Sequence, residues 1–190
     1  MNDRVWREEL AFRLGNLGIP VLPGTIFSSV AGELQEMAES YLRDGDHFEA
    51  RGDCVNALAS WSYALGWLDA GAGLGLIDAP GRDHQWIFCE VVLPANTAFR
   101  LLEKVRRYHM LLSTAIKAAV PAPEPGTVTS DAANRFILVA GVFREYGNFF
   151  HLSGKVPNAL GSFSYGHAWL DAGVRAGLLR VDGPRDVFAV

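Results

Sequence analysis

Apolar residues recur along this chain at steps of three and four, the spacing that puts them on one face of a helix. Leu10, Leu14 and Leu17 predict a first helix from about Asp3 to Asn16, ended by the turn at Pro23-Gly24. A second stripe of Leu34, Met37, Ala38, Tyr41 and Phe48 predicts a helix from near Ser28, whose hydroxyl can cap free backbone amides, to Gly52, a residue type favoured just past a helix end. The third helix, from about Val55 to Leu76, carries two stripes: Leu58, Trp61, Leu65, Leu68 and Ala72, and then Tyr63, Trp67, Ala70 and Leu74. A helix apolar on most of its circumference belongs at the centre of a fold.

The pattern is written twice, at an offset of 102 residues. Asn56-Ala-Leu-Ala-Ser-Trp-Ser-Tyr63 returns as Asn158-Ala-Leu-Gly-Ser-Phe-Ser-Tyr165, and Trp67-Leu-Asp-Ala-Gly71 returns unchanged as Trp169-Leu-Asp-Ala-Gly173. Pro23-Gly24-Thr25 recurs in the same register as Pro125-Gly126-Thr127, with Ser28 opposite Ser130. The second copy therefore predicts helices from about Thr97 to Ala119, Ser130 to Gly154 and Val156 to Leu179, with Pro157 tolerated in a first turn. The expected fold is all-α: six main helices, as two tandem three-helix repeats, in one pseudo-two-fold bundle. Residues 1–77 form the first repeat, 78–96 the connection, 97–181 the second repeat and 182–190 a tail. Within the connection, Trp86 to Leu93 is β-branched and aromatic enough for a short strand, which either pairs with the similar tail from Pro184 or extends over the helices.

The third helices also carry glycines that each cost about 1 kcal/mol relative to alanine in a helix interior. Gly71 and Gly75 reappear as Gly173 and Gly177, and their spacing of four predicts a close approach between the two third helices across the pseudo-two-fold axis.

Composition narrows the function classes. Seventeen basic against 21 acidic residues leave a net charge of −4, without the concentrated positive face that nucleic acid requires. The longest apolar run, Tyr63 to Ile77, contains Asp69 and is too short for a membrane span, and the first sixteen residues alternate charges with apolar residues unlike a signal peptide. Cys54 and Cys89 have no paired spacing, which predicts a reducing, cytoplasmic setting with no disulfide framework and no cysteine metal site.

The run Gly-Asp-x-x-x-Ala-x-x-x-x-x-Tyr-Ala-x-Gly-x-Leu-Asp-Ala-Gly, from Gly52 to Gly71 and in altered form from Gly154 to Gly173, resembles domain-of-unknown-function family 357. The resemblance implies a bundle of about three helices per copy, an archaeal cytoplasmic origin, and no assigned activity, cofactor or catalytic residue. The second copy departs at Lys155, Pro157, Gly166 and Ala168.

Two carboxylates stand out. Asp69 and Asp171 lie in otherwise apolar helices, where an unpaired charge is costly, so each requires a partner. Tyr63 and Tyr165, Ser62 and Ser164, and Arg4 and Arg106 occur in both copies and are the candidates. A structural hydrogen bond fixing helix register is the ordinary reading. The functional one is a pocket between the repeats bounded by Tyr63, Trp67, Asp69, Tyr165, Trp169 and Asp171. Asn56 and Asn158 read as helix-start caps. Asp44, Asp46, His47, Glu49 and Asp53 cluster as hard ligands, yet a charge run at a helix end is usually solvated, so no metal is assigned. Arg144 and His151 weakly echo a helical ribonuclease spacing that their counterparts Leu42 and Glu49 do not share, and Cys54 faces Val156 in the other copy. With no catalytic constellation present in both copies, the leading reading is a non-catalytic interaction or scaffold protein without a cofactor, existing as monomer or homodimer with an unknown protein partner. The alternative is a small-molecule-binding protein, and an enzyme ranks third.

Overall fold

A computed structural model describes residues 4–81 and 87–189; Asp3, Trp86 and Val190, which the sequence places in or at the ends of elements, lie outside them. Helices α1 (Val5–Gly15), α2 (Ile26–Ala50) and α3 (Cys54–Gly73) form the first repeat. Helices α4 (Ala98–Ala118), α5 (Val128–Leu152) and α6 (Val156–Arg175) form the second. The chain is an all-α bundle of two tandem repeats.

The long second helices start where the repeated Thr sits. The Thr25 hydroxyl accepts from the Ser28 N–H at 3.2 Å, and Thr127 accepts from Ser130 at 3.1 Å. The caps are thus Thr25 and Thr127 rather than the serines three residues on, which supply the capped amides. Gly52 and Gly154 both turn the chain at φ +76°, a conformation open to glycine, and lead each second helix directly into the third. Asp53, not Asn56, caps α3, accepting from the Asn56 N–H at 3.2 Å. Asn158 is no cap either. Its Oδ1 accepts from the Val91 N–H at 3.1 Å and its Nδ2 donates to the Cys89 carbonyl at 2.8 Å, tying the inter-repeat connection onto α6.

Helices α3 and α6 pack against each other at the centre, flanked by α2 and α5, with α4 also covering α6 and α1 covering α3. Fifteen of the 20 residues of each central helix are buried, which is why both are apolar on most of their circumference. Fully burying a side chain of the size of Leu65, Trp67, Phe163 or Leu170 stabilises by roughly 1.5–3 kcal/mol, so this central pair carries much of the core.

The short sheet is not where the sequence placed it. Residues 87–93 contain no strand, and the tail forms a 3-10 turn at Arg185–Val187. Instead β1 (Ala119–Pro121) pairs antiparallel with β2 (Leu179–Val181), with Val120 opposite Arg180. The first repeat keeps one bridge of that hairpin, Gly18 opposite Asp78, at the positions equivalent to Val120 and Arg180. A β-rich composition at Ile87 to Leu93 did not suffice because the partner edge lies elsewhere, and Asn158 takes up the backbone groups of that segment.

The glycine expectation is half met. The two third helices do approach closely, but through other glycines. A Cβ on Gly66 would lie 2.6 Å from both the Ala168 Cβ and the Tyr165 carbonyl oxygen. Gly71 and Gly173 instead receive the Ile77 and Leu179 side chains of their own repeats, while Gly75 and Gly177 turn the chain at φ +70° after the helix end.

Candidate functional site

Where α3 crosses α6, each repeat's tyrosine reaches the other repeat's aspartate. The Tyr165 hydroxyl donates to Asp69 Oδ2 at 2.6 Å, and the Tyr63 hydroxyl donates to Asp171 Oδ2. The crossing at Gly66 and Ala168 brings the helices near enough for these short reaches. Ser164 adds a further bond across the helix pair, donating to the Ala59 carbonyl at 2.7 Å, whereas Ser62 turns back to the Leu58 carbonyl of its own helix. Of the expected partners, the tyrosines are correct. Arg4 pairs with Glu49, and Arg106 is not bonded to either aspartate.

The two pairs differ in what completes them. Asp69 Oδ1 accepts from Arg13 Nη2, and Arg13 Nε donates to the Ala79 carbonyl at 3.0 Å. Asp171 Oδ1 accepts from the Ala189 backbone N–H at 3.2 Å, and His167 Nε2 lies 3.6 Å from its Oδ2. The position equivalent to Arg13 in the second repeat is Ala115, so only the first carboxylate has a guanidinium. Arg13 lies in the stripe of Trp6 and Leu10, at steps of four and three, and is itself buried. A charged residue in an apolar stripe was the available signal for this partner.

These environments set the charge states. Burial, reinforced by the facing carboxylate, pushes the Tyr63 and Tyr165 hydroxyls well above the ordinary phenol range, so both remain donors. Among the described residues the Trp67 and Trp169 indole N–H groups find no hydrogen-bond acceptor of ordinary geometry, and they oppose that rise only weakly. Burial would lower the Arg13 pKa, but Asp69 outweighs it and the guanidinium is held charged. Burial raises Asp171 above the ordinary carboxylate range against the opposing pull of His167, Tyr63 and the Ala189 amide. An acid whose folded pKa is raised binds its proton more readily when folded. Its contribution to stability is complete below its unfolded pKa and is lost as pH rises through the folded value. In urea titrations the stability difference between the wild type and Asp171→Asn should therefore move against the wild type as pH rises from 4 towards neutrality. A difference that is flat, or that moves the other way, contradicts the assignment.

Beside this second pair lies a cavity of about 240 Å³. Tyr63 and Asp171 form part of its wall, with Tyr41 of α2, Tyr108 and Leu111 of α4, His167 of α6 and the tail from Asp186 to Ala189. The exposed Arg107 stands at its rim. Of the six residues expected at a site, Tyr63 and Asp171 thus face a cavity. Asp69 and Tyr165 are joined to Arg13 instead, and Trp67 and Trp169 pack as core, Trp67 edge-on to Tyr63 and Trp169 against Phe136 at a centroid distance of 4.8 Å. Sequence reasoning missed Tyr41, Tyr108, His167 and Phe188. His167 stands at i−4 from Asp171 on α6, a spacing that places the two on one face.

The acids at the end of α2 and the start of α3 hold neighbouring helices. Asp46 receives a two-pronged bond from Arg7 at 3.0 and 2.8 Å and the Trp61 indole N–H at 3.2 Å, which holds its carboxyl below the usual range. Glu49 pairs with Arg4, and Asp53 with Arg100 at 2.6 Å. Among the described residues no helix is long and apolar enough to cross a membrane.

The sequence profile of a family described as protein of unknown function DUF357 matches the chain twice, over residues 9–77 and 107–179. The chain belongs to this family. The two matches are the two structural repeats, so this member of DUF357 is a tandem duplication, and the crossed Tyr–Asp pairs join one family unit to the other. No curated protein and no solved structure matches the chain.

Proposed function

We propose that this DUF357 protein is a cytoplasmic, non-catalytic binding protein whose ligand occupies the cavity between its repeats. The observation that supports this most directly is the unequal completion of the two Tyr–Asp pairs. The Asp69 carboxylate has the Arg13 guanidinium as its counter-charge, whereas Asp171 has no guanidinium beside it among the described residues and lies buried next to a cavity lined by aromatic rings. Aromatic rings with a few converging polar groups are a usual lining for a small-molecule site, and at about 240 Å³ this cavity suits a small ligand. Native mass spectrometry of gently purified protein should show a reproducible adduct. In thermal-shift screening, a ligand at about a hundred times its dissociation constant should add about 2.7 kcal/mol of stability. A bare mass together with a flat metabolite screen defeats the reading.

A second reading, interaction with another protein chain, rests on α5. Leu138, Val142, Phe149 and Leu152 expose a stripe along that helix, while the equivalent positions on α2 are Glu36, Ser40, His47 and Ala50. The exposed Val128 and Leu152, and Leu138 and Val142, are placed symmetrically about residue 140, the spacing an antiparallel pair of α5 helices from two copies would use. Light scattering should then report a dimer that Leu138→Glu converts to monomer. A wild-type monomer at all accessible concentrations removes this reading.

A further inference from the structure

We propose that the cavity beside Asp171 takes a small organic cation, a ligand bearing an ammonium group, with Asp171 as its counter-ion and the rings of Tyr41, Tyr63, Tyr108 and Phe188 as its walls. The inference rests on the ligand-binding reading above and assigns the chemistry of the ligand.

The duplication supplies an internal comparison. Both repeats bury an aspartate against the other repeat's tyrosine, and burying a carboxylate is costly without a compensating charge. In the first half that charge is the Arg13 guanidinium. In the second half position 115 is alanine, and among the described residues Asp171 has no Arg or Lys within ion-pair distance; the basic side chain at that range is His167. Asp171 is completely buried and lies directly behind the cavity wall. Its two oxygens offer about four acceptor sites, of which the Tyr63 hydroxyl and the Ala189 amide each use one. An ammonium held in the cavity brings the missing positive charge next to the carboxylate.

The walls suit the same ligand. Tyr41 and Tyr63 meet edge to face at a centroid distance of 4.5 Å, and His167 lies 6.2 Å from Phe188. Ring faces attract cations, more strongly as water is excluded, and rings grouped round a pocket are a common means of holding alkylammonium groups. At the position equivalent to Tyr108 the first repeat has Trp6, which is completely buried and packs towards Gly161. The rim carries one charge of each sign, Arg107 and Asp186, so the buried carboxylate sets the sign of the interior.

The test is saturation-transfer NMR on the full chain with four probes at equal ionic strength: n-butylammonium, tetramethylammonium, n-butanol and butyrate. The two cations should bind at least about tenfold more tightly than the neutral and anionic probes. Asp171→Asn should remove that preference. Should Asp171→Asn fail to fold, Leu111→Trp, which fills the cavity from α4 and leaves Asp171 in place, should abolish cation binding. If butanol or butyrate binds as well as the cations and Leu111→Trp abolishes it, the cation assignment falls while the pocket reading survives. If none of the four probes binds, the assignment falls, and the adduct and metabolite screens then decide the pocket reading separately.

Discussion

Replacing Arg13 by methionine should lower the stability of the protein by about 3 kcal/mol, a drop in Tm of roughly 6–12 °C for a chain of this size. Methionine keeps the length and packing of the arginine stem, so the loss isolates the guanidinium. The change strands the Asp69 carboxylate, which then has only the Tyr165 hydroxyl, and it orphans the Ala79 carbonyl. The expected cost sits at the lower end of the range for a broken buried pair because the Asp69 side chain keeps 24% exposure, against 6% for Arg13. Asp69→Asn added to Arg13→Met should recover part of the loss, since it removes the unpaired charge. A double-mutant cycle should return a coupling of about 1 kcal/mol or more. Strictly additive effects would show that the pair contributes nothing beyond its separate contacts. The equivalent change in the second repeat cannot be made, because Ala115 already stands there.

Gly66→Ala should destabilise by about 2–3 kcal/mol, against the general helix preference that favours alanine by about 1 kcal/mol. The added methyl would press on the Tyr165 carbonyl and the Ala168 Cβ, both fixed to the α6 backbone, so α3 and α6 must part to admit it. Parting them lengthens both crossed Tyr–Asp bonds. Gly141→Ala provides the opposite control. A Cβ there meets nothing within 4 Å, and the protein should become more stable by several tenths of a kcal/mol up to about 1 kcal/mol. Chemical denaturation of the two variants checks both signs. Equal effects at Gly66 and Gly141 would mean that the helix crossing is not closely packed at Gly66.

Much of the architecture was readable because it is local and repeated. Helix periodicity, the glycines after α2 and α5, and the doubling at 102 residues all depend on residues near one another or on direct comparison of two stretches. The caps went to Thr25 and Thr127 because a hydroxyl just before the helix reaches the free amide three residues on, whereas Ser28 and Ser130 already lie inside the first turn. The sheet was misplaced because a strand depends on the edge it meets. Ala119–Pro121 and Leu179–Val181 find each other only after α4, α5 and α6 have packed.

At the site, the need of Asp69 and Asp171 for partners followed from one physical rule, that a buried charge must be met. The tyrosines were candidates on that ground, yet nothing in the chain order says that each serves the opposite repeat. Arg13 was unmarked because its signal, one charge in a short apolar stripe, is shared by many surface arginines whose stems lie along a core.

The sequence by itself determined the unit: two copies of a three-helix pattern, a nearly all-apolar third helix in each, and two carboxylates that cannot stand alone. Tertiary structure decided how the copies are joined and how they differ. Tyr63 meets Asp171 across 108 residues and Tyr165 meets Asp69 across 96, distances in sequence that only the crossing of α3 and α6 closes. The same crossing turns a small sequence difference, arginine against alanine, into one carboxylate met by a guanidinium and one that lies beside a cavity. Periodicity reports which face of a helix is buried, because that depends on steps of three and four. Which side chain meets which depends on the angle and separation of two helices, and those follow from all the side chains packed between them.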